Sequence, residues 1–338
     1  RMLGFGREGR VPRGSQVDAV AQEHDMTAAT AGPISSLRDT IASVFMGTPQ
    51  AIDRVLRTML AGGHLLIEDV PGVGKTVLAG AIARSVQANL SRVQMTPDLL
   101  PSDILGVSVY DRERGEFTFK PGPIFANIVL ADEINRTTPR TQTALLEAMS
   151  EATVSIDGTS HPLPTPFMVI ATQNPYDFEG TYLLPENQLD RFLMRTRLGY
   201  PDPGTEVRVL ESRPASTALP KLSPVMELET LAGLQKAAND VRVDGKILEY
   251  VVAIANATRS SPDLRLGLSP RGALALTQTA RATALIDGRD YVVPEDVLDN
   301  ILPVVTHRLI VRGGLEQGDG REAESILEAI VQSVEAPT

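Results

Sequence analysis

A glycine-containing loop that joins an apolar segment to a helix places the strongest constraint on this chain. The loop reads PGVGKT at residues 71–76, after the apolar run at 65–67 and before a helical pattern that starts at Val77. Glycine lets the backbone curve around an anion, and the amide groups at a helix N-terminus hold that anion. The order of strand, glycine loop and helix therefore predicts a phosphate-binding loop in an α/β fold.

The side chains of this loop suit a nucleoside triphosphate. Lys75 is expected to reach the β and γ phosphates of ATP, and Thr76 to offer its hydroxyl to Mg²⁺. The general pattern has a glycine at position 69, where this chain has Asp69. The predicted nucleotide-binding residues here are Pro71, Gly72, Val73, Gly74, Lys75, Thr76 and Val77.

Two adjacent carboxylates follow a second apolar run. Residues 128–131, IVLA, lead directly into Asp132 and Glu133, which places both acids at the end of a buried strand. Asp132 is expected to bind Mg²⁺ directly or through its waters, and Glu133 to orient and deprotonate the water that attacks the γ-phosphate. The pair favours hydrolysis over phosphoryl transfer to a metabolite.

Short apolar runs alternate with helical patterns along the first 200 residues. The runs are mostly apolar on both faces, and they lie at 64–68, 91–95, 126–132, 167–172 and 192–200. This alternation predicts a buried parallel sheet flanked by helices.

A change in composition after Tyr200 predicts a second domain. The segment that follows is rich in Pro, Ser and Thr, and apolar residues then return at helical spacing. The predicted divisions are a disordered tail or protease-site remnant at 1–30, an α/β domain at 31–205, a linker at 206–225, a small helical domain at 226–315, and a C-terminal helix or tail at 316–338.

Charge and cysteine content exclude several classes of protein. The chain has 32 Lys and Arg against 42 Asp and Glu, a net charge of −10, and no cysteine. The acidic balance disfavours a general polyanion-binding protein, and the lack of cysteine excludes disulfide scaffolds, thiolate metal sites and cysteine nucleophiles. No apolar stretch approaches the roughly 18 residues that cross a bilayer, and the start lacks a signal-peptide pattern. We therefore expect a cytoplasmic protein without membrane insertion.

Four further segments match one family in the same order. They are QMTPDLLPSDILG from Gln94, FKPGPIFANIVLADEINR from Phe119, ATQNP from Ala171 and LPENQLDRFLMR from Leu184. With the glycine loop, these segments make the chain resemble the MoxR-type AAA+ ATPases over residues 35–312. The resemblance implies an AAA+ P-loop NTPase fold, a three-layer αβα sandwich with a parallel sheet followed by a small all-helical lid domain.

The resemblance also implies roles for polar residues outside the loop. Asn174 matches the first sensor, which hydrogen-bonds the attacking water or the γ-phosphate. Arg191, in LDRF, matches the arginine finger that the family inserts into the neighbouring subunit's site. A surface ion pair of Arg191 with Asp190 or Glu186 is the alternative.

Further assignments come from the lid and from the segment before the first long helix. Arg271, in LSPRGAL, matches the second sensor, which acts either on its own subunit or on the next. Met46 and Gly47 lie where the family forms its adenine pocket, with Thr48 in place of the usual glutamine. Arg136 fits either a contact with a neighbouring subunit or an ion pair at a helix start. The expected catalytic set is Lys75, Glu133, Asn174, Arg191 and Arg271, with Thr76 and Asp132 as metal ligands.

Two segments, 107–122 and 151–164, alternate like strands around glycine turns and predict β-hairpins. In related ring ATPases such hairpins face the pore and contact the partner that is remodelled. The second hairpin contains no Lys or Arg, and the basic residues of the first are offset by acidic ones. Because a nucleic-acid translocase needs basic groups against the phosphates, nucleic acid is not the expected partner.

The features together predict Mg²⁺-dependent ATP hydrolysis by a homo-oligomeric, hexameric ring of MoxR type that remodels or matures partner proteins in a chaperone-like way. The resemblance implies separate von Willebrand A domain proteins as partners and a contribution to metal cofactor insertion. The alternatives are a chelatase-type motor subunit, a nucleic-acid translocase, and a nucleotide-gated scaffold with negligible turnover.

Overall fold

The structure is a computed structural model that describes residue 30 and residues 32–113, 115–175, 180–313 and 320–337. Apart from Thr30, the predicted N-terminal tail or protease-site remnant lies outside these ranges. Helix α1 (32–42) and helix α2 (Pro49–Leu60) precede the first strand. In the described part of the chain, no helix combines the length and the apolar character needed to cross a membrane.

Strands and helices then alternate as the apolar runs predict. The elements up to residue 196 are β1 (Leu65–Glu68), α3 (Lys75–Ser85), β2 (Leu90–Gln94), α4 (Pro101–Leu105), β3 (Gly106–Asp111), β4 (Glu116–Pro121), β5 (Ile128–Asp132), α5 (Pro139–Glu151), β6 (Thr153–Ile156), β7 (Thr159–Pro162), β8 (Met168–Gln173), α6 (Glu186–Leu189) and β9 (Met194–Thr196). The later elements are α7 (Pro203–Ser212), α8 (Pro214–Thr217), α9 (Leu228–Asp240), α10 (Gly245–Ser260), β10 (Leu264–Leu266), α11 (Pro270–Ile286), α12 (Pro294–Val305), β11 (Ile310–Val311) and α13 (Arg321–Ser333).

Five parallel strands form the central sheet in the order β2-β5-β8-β1-β9. Leu65 of β1 is in register with Ile170 of β8, and Ile128 of β5 with Met168 of β8. Successive side chains of a strand point to opposite faces, so a strand buried on both faces reads as a continuous apolar run. The structure confirms the α/β fold with a parallel sheet that these runs predict.

Helices cover both faces of the sheet. Leu65 and Ile67 belong to a core that they share with α1, α2, α3 and the lid, whereas Leu66 belongs to a second core that contains residues of α4 and α5. Helix α2 starts where the hydroxyl of Thr48 accepts a hydrogen bond from the amide of Ala51 at 3.4 Å. The result is the predicted three-layer arrangement, with the sheet between two layers of helices.

Two antiparallel hairpins occupy the segments predicted to form them. Strand β3 pairs with β4, and β6 pairs with β7. Phe119 of the first hairpin stacks on His161 of the second, with ring centroids 4.0 Å apart and 19° between the ring planes. The two hairpins are therefore in direct contact.

The lid is helical, as the resemblance implies. Helix α11 begins at Pro270, and the hydroxyl of Ser269 accepts a hydrogen bond from the amide of Gly272 at 3.0 Å. One short antiparallel pair, β10 with β11, is an addition that the sequence did not predict. Apolar residues of the lid and of the α/β part belong to one continuous core.

The segment between the sheet and the lid runs back over α3. Leu219 lies against Gly80, where a methyl group would come within 3.0 Å of Leu219 Cδ2. The amides of Val225 and Met226 both donate to the carbonyl oxygen of Ser85, at 2.9 and 3.1 Å. The last turn of α3 therefore binds the start of the lid.

Candidate nucleotide-binding site

The loop between β1 and α3 curves in the way its glycines allow. Gly72 and Gly74 have φ angles of +90° and +94°, in the region that favours glycine. Gly74 ends the loop and α3 starts at Lys75, so the unpaired amide groups of the first helical turn lie next to the loop. This geometry suits a phosphate group.

Asp69, which departs from the general pattern, joins this loop to the edge of the sheet. Its carboxylate accepts hydrogen bonds from the amides of Leu198 and Gly199 at 2.8 and 2.7 Å, and from the amide of Val70 at 2.9 Å. Hydrogen bonds to an ionised group are roughly twice as strong as neutral ones. A glycine at this position would leave all three amides without these partners.

Lys75 lies close to the acids at the end of β5, a strand that β8 separates from β1 in the sheet. Its Nζ donates to the backbone oxygen of Asp69 at 2.5 Å. Burial lowers the pKa of Lys75, and the negative charges of Asp69, Asp132 and Glu133 oppose that shift. A bound phosphate would add further negative charge and favour the ammonium form.

Asp132 accepts hydrogen bonds on both carboxylate oxygens. Its Oδ1 accepts from the hydroxyl of Thr172 at 2.7 Å, and its Oδ2 accepts from Arg92 Nη2 at 2.6 Å. The Thr172 hydroxyl oxygen also accepts from the amide of Glu133 at 2.9 Å. One buried hydroxyl on β8 thus positions both predicted acids.

Glu133 adopts a left-handed backbone conformation, with φ of 60° and ψ of 54°, which is uncommon for a residue other than glycine. Its Oε2 accepts from Gln94 Nε2 at 3.1 Å and lies 3.1 Å from Arg136 Nε. Of the two roles expected for Arg136, the structure shows the ion pair. The carboxylate is held at the end of the sheet next to Asp132.

These groups surround a cavity of about 370 Å³, which is within the usual size range of ligand sites. The predicted Asn174 is part of its lining, whereas Val73 packs against the core below the loop. The lining residues are Pro71, Gly72, Gly74, Lys75, Thr76, Val77, Arg92, Gln94, Asp132, Glu133 and Asn174.

The oxygen donors of this cavity fit Mg²⁺ that arrives with a nucleotide. Thr76 and Asp132 both line the cavity, and Mg²⁺ beside a nucleotide takes one or two protein oxygens and completes its shell with phosphates and waters. Within the described ranges, no group of three or more His, Asp or Glu side chains could hold a metal ion. A cation at this position would therefore depend on the phosphate oxygens.

Met46 and Gly47, predicted for the adenine pocket, lie half-buried beside the loop and outside the cavity lining. The ring of Phe45 packs against Gly47, and its Cε2 lies 3.3 Å from the place of a Cβ on Gly74. Thr48, where the family has glutamine, caps α2. The adenine pocket remains a prediction.

Arg191 and Arg271 are not part of the cavity lining. Arg191 Nη1 donates to the carbonyl oxygen of Leu146 at 2.8 Å and to the hydroxyl of Ser150 at 2.6 Å. Arg271 Nε lies 3.9 Å from Asp190 Oδ2. Asp190 therefore directly precedes Arg191 in the chain and lies within 3.9 Å of Arg271 in the fold.

The surface ion pair considered for Arg191 is replaced by other pairs. Asp190 binds Arg308, with 2.7 Å between its Oδ1 and Nε, and Glu186 lies 3.7 Å from Arg265. The guanidinium of Arg191 contacts helix α5 instead.

Sequence reasoning missed Arg92, Gln94, Thr172 and Arg308. Gln94 and Thr172 lie within two of the family-like segments, at 94–106 and 171–175, without an assigned role there, whereas Arg92 and Arg308 lie outside those segments. One signal was available for Gln94, because it ends β2 and is in register with Asp132 on the adjacent strand. Polar residues at the carboxyl ends of neighbouring parallel strands meet at one edge of the sheet.

A phosphate-binding loop, paired acids at the end of another strand of the same sheet and a helical lid define the AAA class of P-loop nucleotide-binding proteins. Comparisons with protein families agree with this class. Residues 64–194 match the ATPase family associated with various cellular activities (AAA), and residues 256–330 match the AAA lid domain.

Individual relatives specify the family. The uncharacterized protein YeaC of Bacillus subtilis (strain 168) is 49% identical over 83% of this chain and 88% of YeaC. Chaperone MoxR1 of Mycobacterium tuberculosis is 40% identical over 88% of this chain and 80% of MoxR1. A solved structure of a proposed ATPase from Cytophaga hutchinsonii covers 96% of this chain, and all of that chain, with a TM-score of 0.85 and 32% identity. The chain belongs to the MoxR family of AAA+ ATPases.

Proposed function

We propose that this protein hydrolyses Mg²⁺-bound ATP to ADP and phosphate in a hexameric ring, at sites that neighbouring subunits complete. The observation that carries the proposal is that the phosphate-binding groups and the two predicted arginines lie apart within one chain. The glycine loop and the paired acids line one cavity, whereas Arg191 and Arg271 lie outside it. An arginine finger is supplied either by the same chain or by a second protein, and the position of Arg191 outside this cavity favours supply by a second copy.

Glu133 is the group that accepts a proton from the attacking water. As the water oxygen bonds to the γ-phosphorus, the bond from that phosphorus to the β–γ bridging oxygen breaks and ADP leaves. Gln94 and Arg136 both bind Oε2 of the Glu133 carboxylate in this structure. Because a carboxylate has acceptor sites on both oxygens, Glu133 can bind the water and keep these two contacts. Lys75 offsets phosphate charge, and Asn174 orients the water. Mg²⁺ held by Thr76 and Asp132 would neutralise charge on the phosphates.

We further propose that the work of the ring is done on proteins. The name of the relative Chaperone MoxR1 supports a chaperone-like role. Tyr110 and Phe117, on the two strands of the first hairpin, are 52% and 71% exposed and pack edge to face at 5.3 Å. Exposed aromatic rings suit polypeptide contacts. Proteins with von Willebrand A domains, some of them receiving a metal cofactor, are the partners we propose.

The ATPase rate per subunit, measured against protein concentration, tests the shared site. A site that needs a neighbour's arginine works only in the assembled ring, so the rate per subunit should rise steeply and then level off. A rate independent of concentration over the range where the protein passes from monomer to oligomer contradicts the proposal.

Two substitutions separate binding from chemistry. Lys75→Ala should abolish measurable ATP binding, whereas Glu133→Gln should still bind ATP and lose at least about 100-fold in kcat, because general-base catalysis contributes that much. The matched control is Glu249→Gln, an exposed glutamate on α10, which should keep both properties. Native turnover by Glu133→Gln would show that Glu133 is not the base.

Other outcomes favour the alternatives. Bound ATP without turnover at any concentration favours a nucleotide-gated scaffold. Stimulation of turnover by DNA or RNA at moderate salt favours a translocase, and stimulation only by a large tetrapyrrole-binding subunit favours a chelatase motor.

A further inference from the structure

The lid buries an arginine against the segment that carries Arg191. Arg308 ends a short 3-10 turn (Thr306–Arg308) after α12 and is 5% exposed. Burial lowers its pKa, and the neighbouring carboxylate of Asp190 opposes the shift. A buried charge is retained only where it is paired and hydrogen-bonded. The contacts of Arg308 therefore indicate which part of the protein this charge stabilises.

Arg308 Nη1 contacts the carbonyl oxygen of Val304 and the ring of His307 within the lid, and the other contacts go to residues 190–193. Arg308 Nε donates to Asp190 Oδ1 at 2.7 Å, Nη2 to the carbonyl oxygen of Phe192 at 2.7 Å, and Nη1 to that of Leu193 at 3.2 Å. Nη2 also reaches the backbone oxygen of Asp190 at 3.3 Å. The guanidinium therefore binds the residue before Arg191 and the two residues after it.

The start of α11 belongs to the same arrangement. Gly272 faces Arg308, and a methyl group there would come within 2.9 Å of Arg308 Cδ. Arg271, the residue before it, lies 3.9 Å from the second oxygen of the Asp190 carboxylate. Asp190 thus joins Arg308 and Arg271 through one carboxylate.

We propose that Arg308 is a positioning residue for catalysis in the neighbouring subunit, because it holds the backbone around Arg191 and, through Asp190, the side chain of Arg271 in a fixed arrangement. The inference rests on the proposed function, in which Arg191 acts on the next subunit's ATP. Arg191 can shift its backbone only if the buried guanidinium of Arg308 gives up hydrogen bonds on both sides of it. The lid is then coupled to the site of the next subunit rather than only to its own.

Arg308→Lys keeps the positive charge and removes the planar fork that reaches several acceptors together. We expect nucleotide affinity within about twofold of the unmodified protein, and a kcat lower by about 10- to 100-fold, the cost of displacing a catalytic group by about 1 Å. Arg242→Lys is the matched control, because Arg242 forms an exposed ion pair with Asp290 on the lid surface. This control should leave kcat unchanged.

Mixed rings show in which subunit Arg308 acts. Lys75→Ala subunits have no working site but present an intact Arg191, so an excess of them should restore turnover to Arg308→Lys subunits. If Arg308 served only its own cavity or only general folding, mixing would restore nothing. Asp190→Asn gives a second variant of the same contact and should also be rescued, which keeps the test decisive if Arg308→Lys folds poorly.

A parallel mixture of Arg191→Ala with Lys75→Ala subunits separates the two hypotheses. Rescue of Arg191→Ala without rescue of Arg308→Lys and Asp190→Asn overturns the positioning role and leaves the shared site intact. Failure to rescue Arg191→Ala overturns the shared site, and the role of Arg308 with it. Rescue of all three supports both.

Discussion

Thr172 shows how much of the site depends on one side chain without charge. Its hydroxyl donates to Asp132 Oδ1 and accepts from the amide of Glu133, so a single oxygen connects the predicted metal ligand to the predicted base. The residue is fully buried at the carboxyl end of β8. Because Glu133 has a left-handed backbone, the Thr172 contact also supports a conformation that costs free energy.

Thr172→Val keeps the shape of the side chain and removes both hydrogen bonds. We expect kcat to fall by about 10-fold, which corresponds to a loss of about 1.36 kcal/mol of transition-state stabilisation. ATP affinity should change little, because the phosphate-binding loop is unaltered. Steady-state ATPase rates and nucleotide titration measure the two quantities. Thr279→Val is the control, because the Thr279 hydroxyl donates only to Ala275 within α11. Equal losses in both variants would contradict the role of Thr172.

What the sequence predicted at this scale depended on local motifs. Lys75 and Thr76 are adjacent in the chain, as are Asp132 and Glu133, and a short motif suffices to find such pairs. Thr172 and Arg308 act through contacts with residues 40 and 118 positions away, respectively. One sequence contains no signal for such pairings before the sheet and the lid are assembled.

Among the secondary-structure elements, the strands were the most predictable, because burial on both faces leaves little but apolar residues. Strand β9 is shorter than the apolar run at 192–200 suggests, and it ends at Thr196. Side chains from elsewhere bind its flanks. Arg308 donates a hydrogen bond to the carbonyl oxygen of Phe192, and the carboxylate of Asp69 accepts hydrogen bonds from the amides of Leu198 and Gly199. These backbone groups are thereby unavailable to a longer strand.

His64 joins three elements of the α/β part. It directly precedes β1, its Nε2 lies 3.1 Å from the carbonyl oxygen of Met149 in α5, and its Nδ1 accepts from the amide of Val169 in β8. This pattern requires the neutral imidazole with the proton on Nε2. Desolvation lowers the pKa of His64 to about 4.

The free energy of unfolding should therefore fall as the pH drops from 6.5 towards 4. In that window the unfolded chain binds a proton at His64 that the folded chain does not, which removes about 2 kcal/mol of stability between pH 7 and pH 5. Urea unfolding at both pH values, for the unmodified protein and for His64→Asn, measures the contribution as a difference. His307, whose pKa burial also lowers, acts equally in both proteins. An unchanged pH dependence in His64→Asn would contradict the assignment.

For the whole molecule, the continuous core has a thermodynamic consequence. Leu65 of the sheet and Leu276 of the lid belong to the same cluster of buried side chains. We expect the α/β part and the lid to unfold in one cooperative transition, with equal calorimetric and van't Hoff enthalpies. Scanning calorimetry of the nucleotide-free protein at low concentration measures both. Two resolved transitions would show that the lid folds as an independent unit.

Helix α3 has a mechanical consequence that follows from its two ends. Its first turn borders the phosphate-binding loop, and its last turn binds Val225 and Met226, where the lid begins. Eleven residues at 1.5 Å each make it a stiff rod of about 16 Å. If phosphate binding or release displaces the first turn, a stiff helix transmits that displacement along its axis to Val225 and Met226, at the start of the lid. In the proposed ring, turnover would then move the lid, which includes Arg308, without any flap closing over the nucleotide.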